Sequence, residues 1–143
     1  MSIAYDPDNI FAKILRGEIP AHKVYEDEDT LAFMDVMPQA EGHTLVIPKT
    51  PSRGFLDAEP EVLAKLVKVA QRVGRAVKTA FDADGLTLFQ YNEPAGGQTV
   101  FHLHMHIVPR REGVPLKRHE GGMADKDVLA AHADRIRAAL GQA

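Results

Sequence analysis

Residues 99–110 have the sequence Thr-Val-Phe-His-Leu-His-Met-His-Ile-Val-Pro-Arg, in which three histidines recur at every second position. A strand sends alternate side chains to opposite faces, so His102, His104 and His106 would share one face. Three apolar residues would then point into the core: Leu103, Met105 and Ile107. The rise of a strand separates neighbouring histidines by roughly 6–7 Å, so their rings can converge on one small ligand. The stretch therefore predicts a strand, ended by Pro109, that carries a site.

A glycine-rich segment, Gly96-Gly97-Gln98-Thr99, leads directly into this strand, and Arg110 and Arg111 follow it. Such an entry leaves backbone N–H groups and a hydroxyl available to hold an anion. Two simpler interpretations are a solvated strand face that happens to carry histidine and a set of imidazole metal ligands. Clustered titratable groups beside an anion-binding turn favour phosphate chemistry over the first of these.

Composition limits the classes of function. The chain has 143 residues, enough for one domain, with 45% apolar and 26% charged residues, as in soluble globular proteins. A net charge of −3 gives no basic field for a nucleic acid polymer, and no apolar run approaches the ~20 residues of a membrane span. We therefore expect a small-molecule partner, with neither nucleic acid polymer nor membrane. The chain has no cysteine and no visible secretion signal, so we expect a cytoplasmic protein.

Periodicity gives an α+β architecture. Residues 1–8 are expected to be a loose lead-in to a short helix that Asn9 caps and Gly17 closes. Strands are expected at 24–26, 30–34, 43–48 and 85–91, with the histidine strand fifth, in one antiparallel sheet. A long helix over 59–81 packs across the sheet, and 112–143 forms an extension with a C-terminal helix over 127–140. Gly74 in the long helix is expected to mark a close backbone approach, to a second subunit.

Two blocks carry a resemblance to a known family. Residues 102–108 match the pattern His-φ-His-φ-His-φ-φ, with φ apolar, at every position. The second block comprises Asn9–Ile14, Gly17–Pro20, Val24–Asp27, Leu31–Asp35, Pro38–Ala40 and Gly42–Lys49. Over roughly residues 8–111 the chain resembles the histidine triad (HIT) family, and within it the Hint branch. The resemblance implies a HIT-like fold, one HIT domain over residues 1–143 and a two-fold homodimer.

The resemblance also implies an activity, that of a Hint-like nucleoside phosphoramidase. Such an enzyme cleaves the α-phosphate bond of nucleoside monophosphate amides or esters, such as AMP-lysine or aminoacyl-AMP, through a nucleotidyl-histidine. His104 matches the nucleophile, His106 hydrogen-bonds the phosphate or the leaving group, and His102 orients the others. His43 matches an additional histidine near the triad. Spacing alone leaves open that His106 attacks instead of His104.

The same resemblance implies a purine nucleotide site. Asp35 would hold the ribose hydroxyls, Asn92 would reach the sugar-phosphate, and Gly97, Gln98 and Thr99 would donate to the phosphoryl oxygens. The walls of the base pocket would be Ile10, Phe11, Ile14, Phe33, Val36 and Leu45. Without the resemblance, Asp35 and Asn92 are most simply turn residues, and the three apolar helix residues most simply pack in the core.

Zinc-containing relatives carry a Cys-x-x-Cys pair in the first helix, a further histidine and the first triad histidine as ligands. Here the first three places hold Asn9, Ala12 and Pro51, so we expect no metal and no cofactor. Two other functions stay open: a dinucleoside polyphosphate hydrolase, which needs room for a second nucleotide, and a non-catalytic nucleotide-binding adapter.

Overall fold

The computed structural model describes residues 4–118 and 122–141. Its strands are β1 (Lys23–Glu26), β2 (Thr30–Met34), β3 (Thr44–Pro48), β4 (Gly85–Phe89) and β5 (Met105–Arg110). Its helices are α1 (Ile10–Leu15), α2 (Pro60–Ala80) and α3 (Lys126–Gly141), with a 3-10 turn at Pro94–Gly96. The strands form one antiparallel sheet in the order β1-β2-β3-β5-β4. The predicted α+β class, with a five-stranded antiparallel sheet and three helices, is confirmed.

The two faces of the sheet are covered by different helices. One face packs against α2 and α3 in a core that includes Val46, Leu66, Val73, Ile107 and Ile136. The other face packs against α1 in a smaller cluster of Phe11, Ile14, Leu31, Phe33, Leu45 and Ile47. Alternate residues of β2 and β3 divide between the two clusters, as the two-residue period of a strand requires. The C-terminal extension shares the larger core through Leu129, Ala133, Ile136 and Leu140.

The short helix α1 begins and ends as its sequence indicates. The side chain of Asn9 accepts a hydrogen bond from the Ala12 N–H at 2.9 Å, which caps the first turn. The helix is followed by Gly17 at φ +79°, a left-handed conformation that favours glycine. Since α1 is only 6 residues long, its position depends on the buried Phe11 and Ile14 rather than on intrinsic helix stability.

The histidine strand is shorter than predicted. β5 begins at Met105, so His102 and His104 lie in a segment before it that bends at His102, and only His106 belongs to the sheet. The N–H of Leu103 donates to the carbonyl of Ser52 at 2.8 Å instead of joining a ladder. The alternation still holds, because Leu103 and Ile107 face the larger core. The alternation of faces from Leu103 to Ile107 therefore does not depend on strand pairing along the whole segment.

Pro109 does not end the strand, contrary to the sequence-based expectation. It lies within β5, opposite Leu86 of β4. The pairing of β3 with β5 extends only from Val46 to Thr44, and Thr44 lies opposite Ile107. Proline is tolerated there because this end of β5 lies beyond the paired part of β3.

The long helix α2 places its buried residues along one side, and Gly74 is one of them. A Cβ at Gly74 would lie 3.2 Å from Leu86 Cδ2 of the same chain. A close approach is therefore present within the chain, to β4, and the expectation that Gly74 also marks a subunit contact stays a prediction. Among the described helices, including the 21-residue α2, none is long and apolar enough to cross a membrane.

Candidate active site

The side chain of His104 is held by the backbone of its own segment. Its Nδ1 lies 2.7 Å from the carbonyl oxygen of His102. A carbonyl oxygen can only accept, so His104 must carry its proton on Nδ1, and a neutral ring then has its lone pair on Nε2. The side chain is buried, and its ring meets the edge of Phe11 at a centroid distance of 4.9 Å. This arrangement presets the tautomer that a histidine nucleophile acting through Nε2 requires.

His106 is fixed by β5, the strand that lies between β3 and the edge strand β4. The strand register aligns it with Leu45 of β3 and Phe89 of β4, and Leu45 is in turn opposite Phe33 of β2. The row Phe33–Leu45–His106–Phe89 therefore crosses four strands on the face that α1 covers. The imidazole stacks on Phe89 with centroids 4.3 Å apart, and it lies 4.9 Å from the ring of His104. Two histidine rings are thus in contact, one on β5 and one just before this strand.

His43 sets the protonation of His106. The backbone N–H of Gln39 donates to His43 Nδ1 at 3.1 Å, so a neutral His43 carries its proton on Nε2. His43 Nε2 lies 2.9 Å from His106 Nδ1, which must then be the acceptor. His106 consequently carries its own proton on Nε2 and is a hydrogen-bond donor there. His43 is fully buried, and neither residue type nor spacing predicts that a loop amide determines the tautomers of His43 and His106.

Asp35 lies beside these histidines at the end of β2. Its Oδ2 is 3.4 Å from His43 Nε2, and its Oδ1 accepts a hydrogen bond from the Met37 N–H at 2.8 Å. The residue is 5% exposed. The carboxylate is therefore both a turn residue, as its position alone suggested, and a neighbour of the histidine pair.

His102 is the most enclosed of the three triad histidines. Its Nε2 lies 2.8 Å from the carbonyl of Pro48 and must donate to it, so Nδ1 is the acceptor. The hydroxyl of Tyr5 lies 2.6 Å from that Nδ1 and donates to it. Burial lowers the pKa of His102 to about 4, so the ring is neutral at ordinary pH. Tyr5 is thus hydrogen-bonded to the first triad histidine, so the N-terminal segment is held in place at this residue and is not the loose lead-in that we expected.

The apolar residues expected to form the base pocket divide into two groups. Phe11, Ile14, Phe33 and Leu45 are buried together between α1 and the sheet. Ile10 and Val36 are 46% and 41% exposed, respectively. The buried group packs the small core, as periodicity alone suggested for Phe11 and Ile14. Because Phe11 also touches His104, this cluster forms the apolar surroundings of the histidines.

The glycine-rich turn has a different internal structure from the one expected. The amide of Gln98 donates to the carbonyls of Arg53 and Val100 and accepts from the Glu93 N–H. Both protons of its Nε2 are used in this way, so the Gln98 side chain holds the turn together, and we withdraw it as a phosphate donor. Gly97 has φ +98° and, like Thr99, is exposed. Both stay candidates for binding an anion.

Asn92 also supports a loop. Its Oδ1 accepts hydrogen bonds from the Phe55 N–H at 2.8 Å and from Gln90 Nε2 at 3.0 Å. Its Nδ2 donates to Gln90 Oε1 at 2.8 Å. A Cβ at Gly54 would lie only 2.7 Å from Asn92 Oδ1, so the glycine is needed for this close contact. The arrangement agrees with the simpler interpretation of Asn92 as a loop residue, and one Nδ2 proton is left for a sugar-phosphate.

Three of these residues lie close enough together to raise the question of a metal. Ligand atoms of Asp35, His43 and His106 all lie within 4.8 Å of one another. The tautomers argue against an ion, however. Neutral His43 carries its proton on Nε2, the atom that would bind the metal, because the Gln39 N–H occupies Nδ1. A metal there would require His43 to give up this hydrogen bond or become an anion. The donor set therefore fits a proton-bearing pair better than a metal.

The described geometry defines a class of protein: an antiparallel α+β fold in which two buried histidines are in contact, one on strand β5 and one just before it. Comparisons with known proteins agree with this class. The sequence profile of the HIT domain matches residues 16–113. A solved HIT-like protein from Bartonella henselae, described as involved in cell-cycle regulation, is 54% identical, with a TM-score of 0.90 over 95% of this chain and 99% of its own.

Two further relatives have names that describe a bound metal in one case and an enzymatic activity in the other. A zinc-bound histidine triad family protein from Mycobacterium smegmatis is 40% identical, with a TM-score of 0.84 over 94% of both chains. The protein named adenylylsulfatase HINT3, from Arabidopsis thaliana, is 38% identical over 73% of this chain and 53% of its own length. The chain belongs to the HIT family.

Proposed function

We propose that this protein is a nucleotide hydrolase that cleaves the α-phosphate bond of nucleoside monophosphate amides, with the corresponding esters as further substrates. The observation that carries the proposal is the hydrogen bond from His104 Nδ1 to the His102 carbonyl at 2.7 Å. It places the lone pair of His104 on Nε2, ready to attack phosphorus. The neighbouring His106, with its proton on Nε2, supplies a donor beside the nucleophile.

The reaction proceeds in two displacements at phosphorus. His104 Nε2 forms a bond to the α-phosphorus while the bond from phosphorus to the leaving nitrogen breaks, and the amine leaves with a proton from His106 Nε2. His104 gains positive charge as it bonds phosphorus, and His106 becomes an imidazolate when it gives up its only proton. The neighbouring cation stabilises that anion, so the pair of histidines stays neutral overall. Water then attacks the phosphorus, the bond to His104 breaks, and the proton of the water returns to His106.

Exposed groups of the glycine-rich turn would stabilise the charge on phosphorus. The Gly97 backbone and the Thr99 hydroxyl would donate to phosphoryl oxygens where negative charge builds up. Asp35 would accept from the ribose hydroxyls, and the cluster around Phe11 would meet the base. This assignment of Asp35 rests on the family resemblance, and its contact with His43 couples the sugar site to the catalytic pair.

Substrate profiling of the purified protein tests the proposal. Three substrates are compared: an AMP amide such as AMP-lysine, a dinucleoside polyphosphate and adenylyl sulfate. The third is tested because one relative is named an adenylylsulfatase. We expect the AMP amide to be turned over faster than the dinucleoside polyphosphate. Binding of AMP without turnover of any of the three would favour the adapter, and fastest cleavage of the dinucleoside polyphosphate would favour that hydrolase. Either result contradicts the proposal.

We also propose a homodimer formed through β4 and α2. β4 is an edge strand of the sheet. Beside this edge lie partly exposed apolar side chains: Val67 at 54%, Leu86 at 38% and Leu88 at 50% exposure. An exposed sheet edge next to an apolar patch is a site of association. Light scattering at micromolar concentration should give the mass of a dimer, and Leu88→Glu should give the monomer. A wild-type monomer would refute the proposal.

A further inference from the structure

The hydrogen bond from Tyr5 to His102 joins two parts of the chain that are 97 residues apart. The phenol oxygen and His102 Nδ1 are separated by 2.6 Å, and the two rings meet edge to face with centroids 5.6 Å apart. Burial raises the pKa of Tyr5 above its ordinary value of 10, so the hydroxyl keeps its proton at physiological pH. Tyr5 is therefore a permanent donor to the first histidine of the triad.

His102 is held at both ring nitrogens. Tyr5 donates to Nδ1, and Nε2 donates to the Pro48 carbonyl at the end of β3. The imidazole is fully buried, so water does not replace either partner easily. Together the two bonds fix His102 between the N-terminal segment and the sheet.

The backbone of the same residue orients the nucleophile. The carbonyl of His102 accepts the hydrogen bond from His104 Nδ1 at 2.7 Å. His102 and His104 both lie before β5, outside the strand ladder, so sheet pairing does not hold this carbonyl in place. The Leu103 N–H of the same peptide group donates to the Ser52 carbonyl at 2.8 Å, and the two side-chain bonds of His102 hold the other side of this residue.

We propose that Tyr5 is a positioning residue for the His104 nucleophile, acting through the ring and the carbonyl of His102. This inference goes beyond the roles assigned to the histidines and rests on the proposed function for its catalytic consequence. Loss of the Tyr5 hydroxyl leaves the buried Nδ1 of His102 without its donor. The His102 carbonyl then shifts, and His104 spends less time as the tautomer with its lone pair on Nε2.

Tyr5→Phe removes only the hydroxyl, and Tyr25→Phe is the matched control. Tyr25 also uses its hydroxyl in a hydrogen bond, to Asp27 at 2.8 Å, on the β1–β2 turn and away from the triad. Tyr5 contributes to neither of the two apolar clusters, so Tyr5→Phe should fold. We expect Tyr5→Phe to lower kcat about three- to tenfold with little change in KM, since one hydrogen bond contributes about 0.5–1.5 kcal/mol. Tyr25→Phe should keep the wild-type kcat.

Nitrogen-15 NMR of the histidine rings in the nucleotide-free proteins gives a second measurement that does not depend on turnover. The wild type and Tyr25→Phe should show His104 protonated on Nδ1 alone, whereas Tyr5→Phe should show a mixture of tautomers. Unchanged His104 signals in Tyr5→Phe, or equal losses of kcat in the two variants, would overturn the inference. If the wild type lacks turnover, the proposed function fails, and the NMR comparison still decides whether Tyr5 positions His104.

Discussion

His43 Nε2 lies 2.9 Å from His106 Nδ1, in a contact between two buried rings that are 63 residues apart in the chain. Because the Gln39 N–H fixes the other nitrogen of His43, a backbone amide determines which nitrogen of His106 can donate to a substrate. We therefore expect His43→Ala to lower kcat by roughly tenfold or more, as loss of control over a proton donor should. It should also cost about 1–3 kcal/mol of stability, because a buried nitrogen loses its partner.

Steady-state kinetics and urea unfolding of His43→Ala test this expectation. His22→Ala, at a residue outside the site, is the control and should keep the wild-type kcat. A wild-type kcat in His43→Ala would show that the tautomer of His106 does not matter to the reaction.

His104 should be indispensable for turnover but not for binding. His104→Ala removes the nucleophile, so kcat should fall by at least about a thousandfold. The affinity for AMP should stay near that of the wild type, because Asp35 and most of the apolar cluster do not depend on this ring.

Asp35→Ala should instead weaken nucleoside binding. Because Asp35 also contacts His43, we expect Asp35→Ala to lower kcat as well, an effect that the sequence alone did not suggest.

Mass spectrometry under non-acidic conditions locates the covalent intermediate. After incubation with an AMP amide, the nucleotide should be found on His104. An adduct on His106, or full activity in His104→Ala, would assign the attack to the other histidine, the alternative that a spacing of two residues cannot exclude.

Acid should destabilise the protein through His102. Burial lowers its pKa from 6.5 to about 4 in the folded state, so below pH 6.5 the unfolded chain binds a proton that the folded chain excludes. The stability that depends on the neutral ring is present above pH 6.5 and is lost as the pH falls from 6.5 towards 4. The loss amounts to about 3 kcal/mol at the acid end of this window.

Urea unfolding at pH 7 and pH 4.5 measures the effect. The difference in the free energy of unfolding should be larger in the wild type than in His102→Asn, which has no imidazole to protonate. Equal differences in the two proteins would contradict the assignment to His102.

The purified protein should retain no stoichiometric zinc after EDTA treatment and gel filtration. Three of the four positions that bind zinc in the zinc-containing relatives hold Asn9, Ala12 and Pro51. The fourth, His102, already uses both ring nitrogens, with Tyr5 and with the Pro48 carbonyl. The zinc-bound relative from Mycobacterium smegmatis is a positive control for the metal analysis. One zinc ion per chain would contradict this prediction.

Periodicity was sufficient to predict most of the fold. The helix after Asn9, the β1–β2 hairpin, the long helix and the C-terminal helix lie close to their predicted positions, because burial on one face imposes a regular pattern. The start of β5 at Met105 could not be predicted, since Leu103 continues the apolar alternation of the strand although it has no paired neighbour in the sheet. The fourth strand likewise ends at Phe89 and not at residue 91.

The site was predictable only where residue type determines chemistry. His102, His104 and His106 were evident from their spacing. The partners that determine their tautomers are the Gln39 amide, the His102 carbonyl and the Pro48 carbonyl. These are backbone groups, which nearly every residue has, so residue type does not reveal them. The role of Gln98 was misjudged for the same reason, because its partners are two carbonyls and an amide. Tyr5 lies in a polar segment whose composition gives no sign of a long-range contact.

His106 lies in β5, which is paired on both sides, whereas His104 lies just before this strand. The two proposed reacting groups therefore belong to parts of the protein with different free energies of local unfolding. Amide hydrogen exchange of His106 requires separation of β5 from its neighbours, so its protection should approach that of the whole domain. The segment that carries His104 can open locally while the sheet stays intact. Inactivation by mild denaturant should therefore precede the loss of secondary structure, because the nucleophile moves away from its proton donor before the protein unfolds.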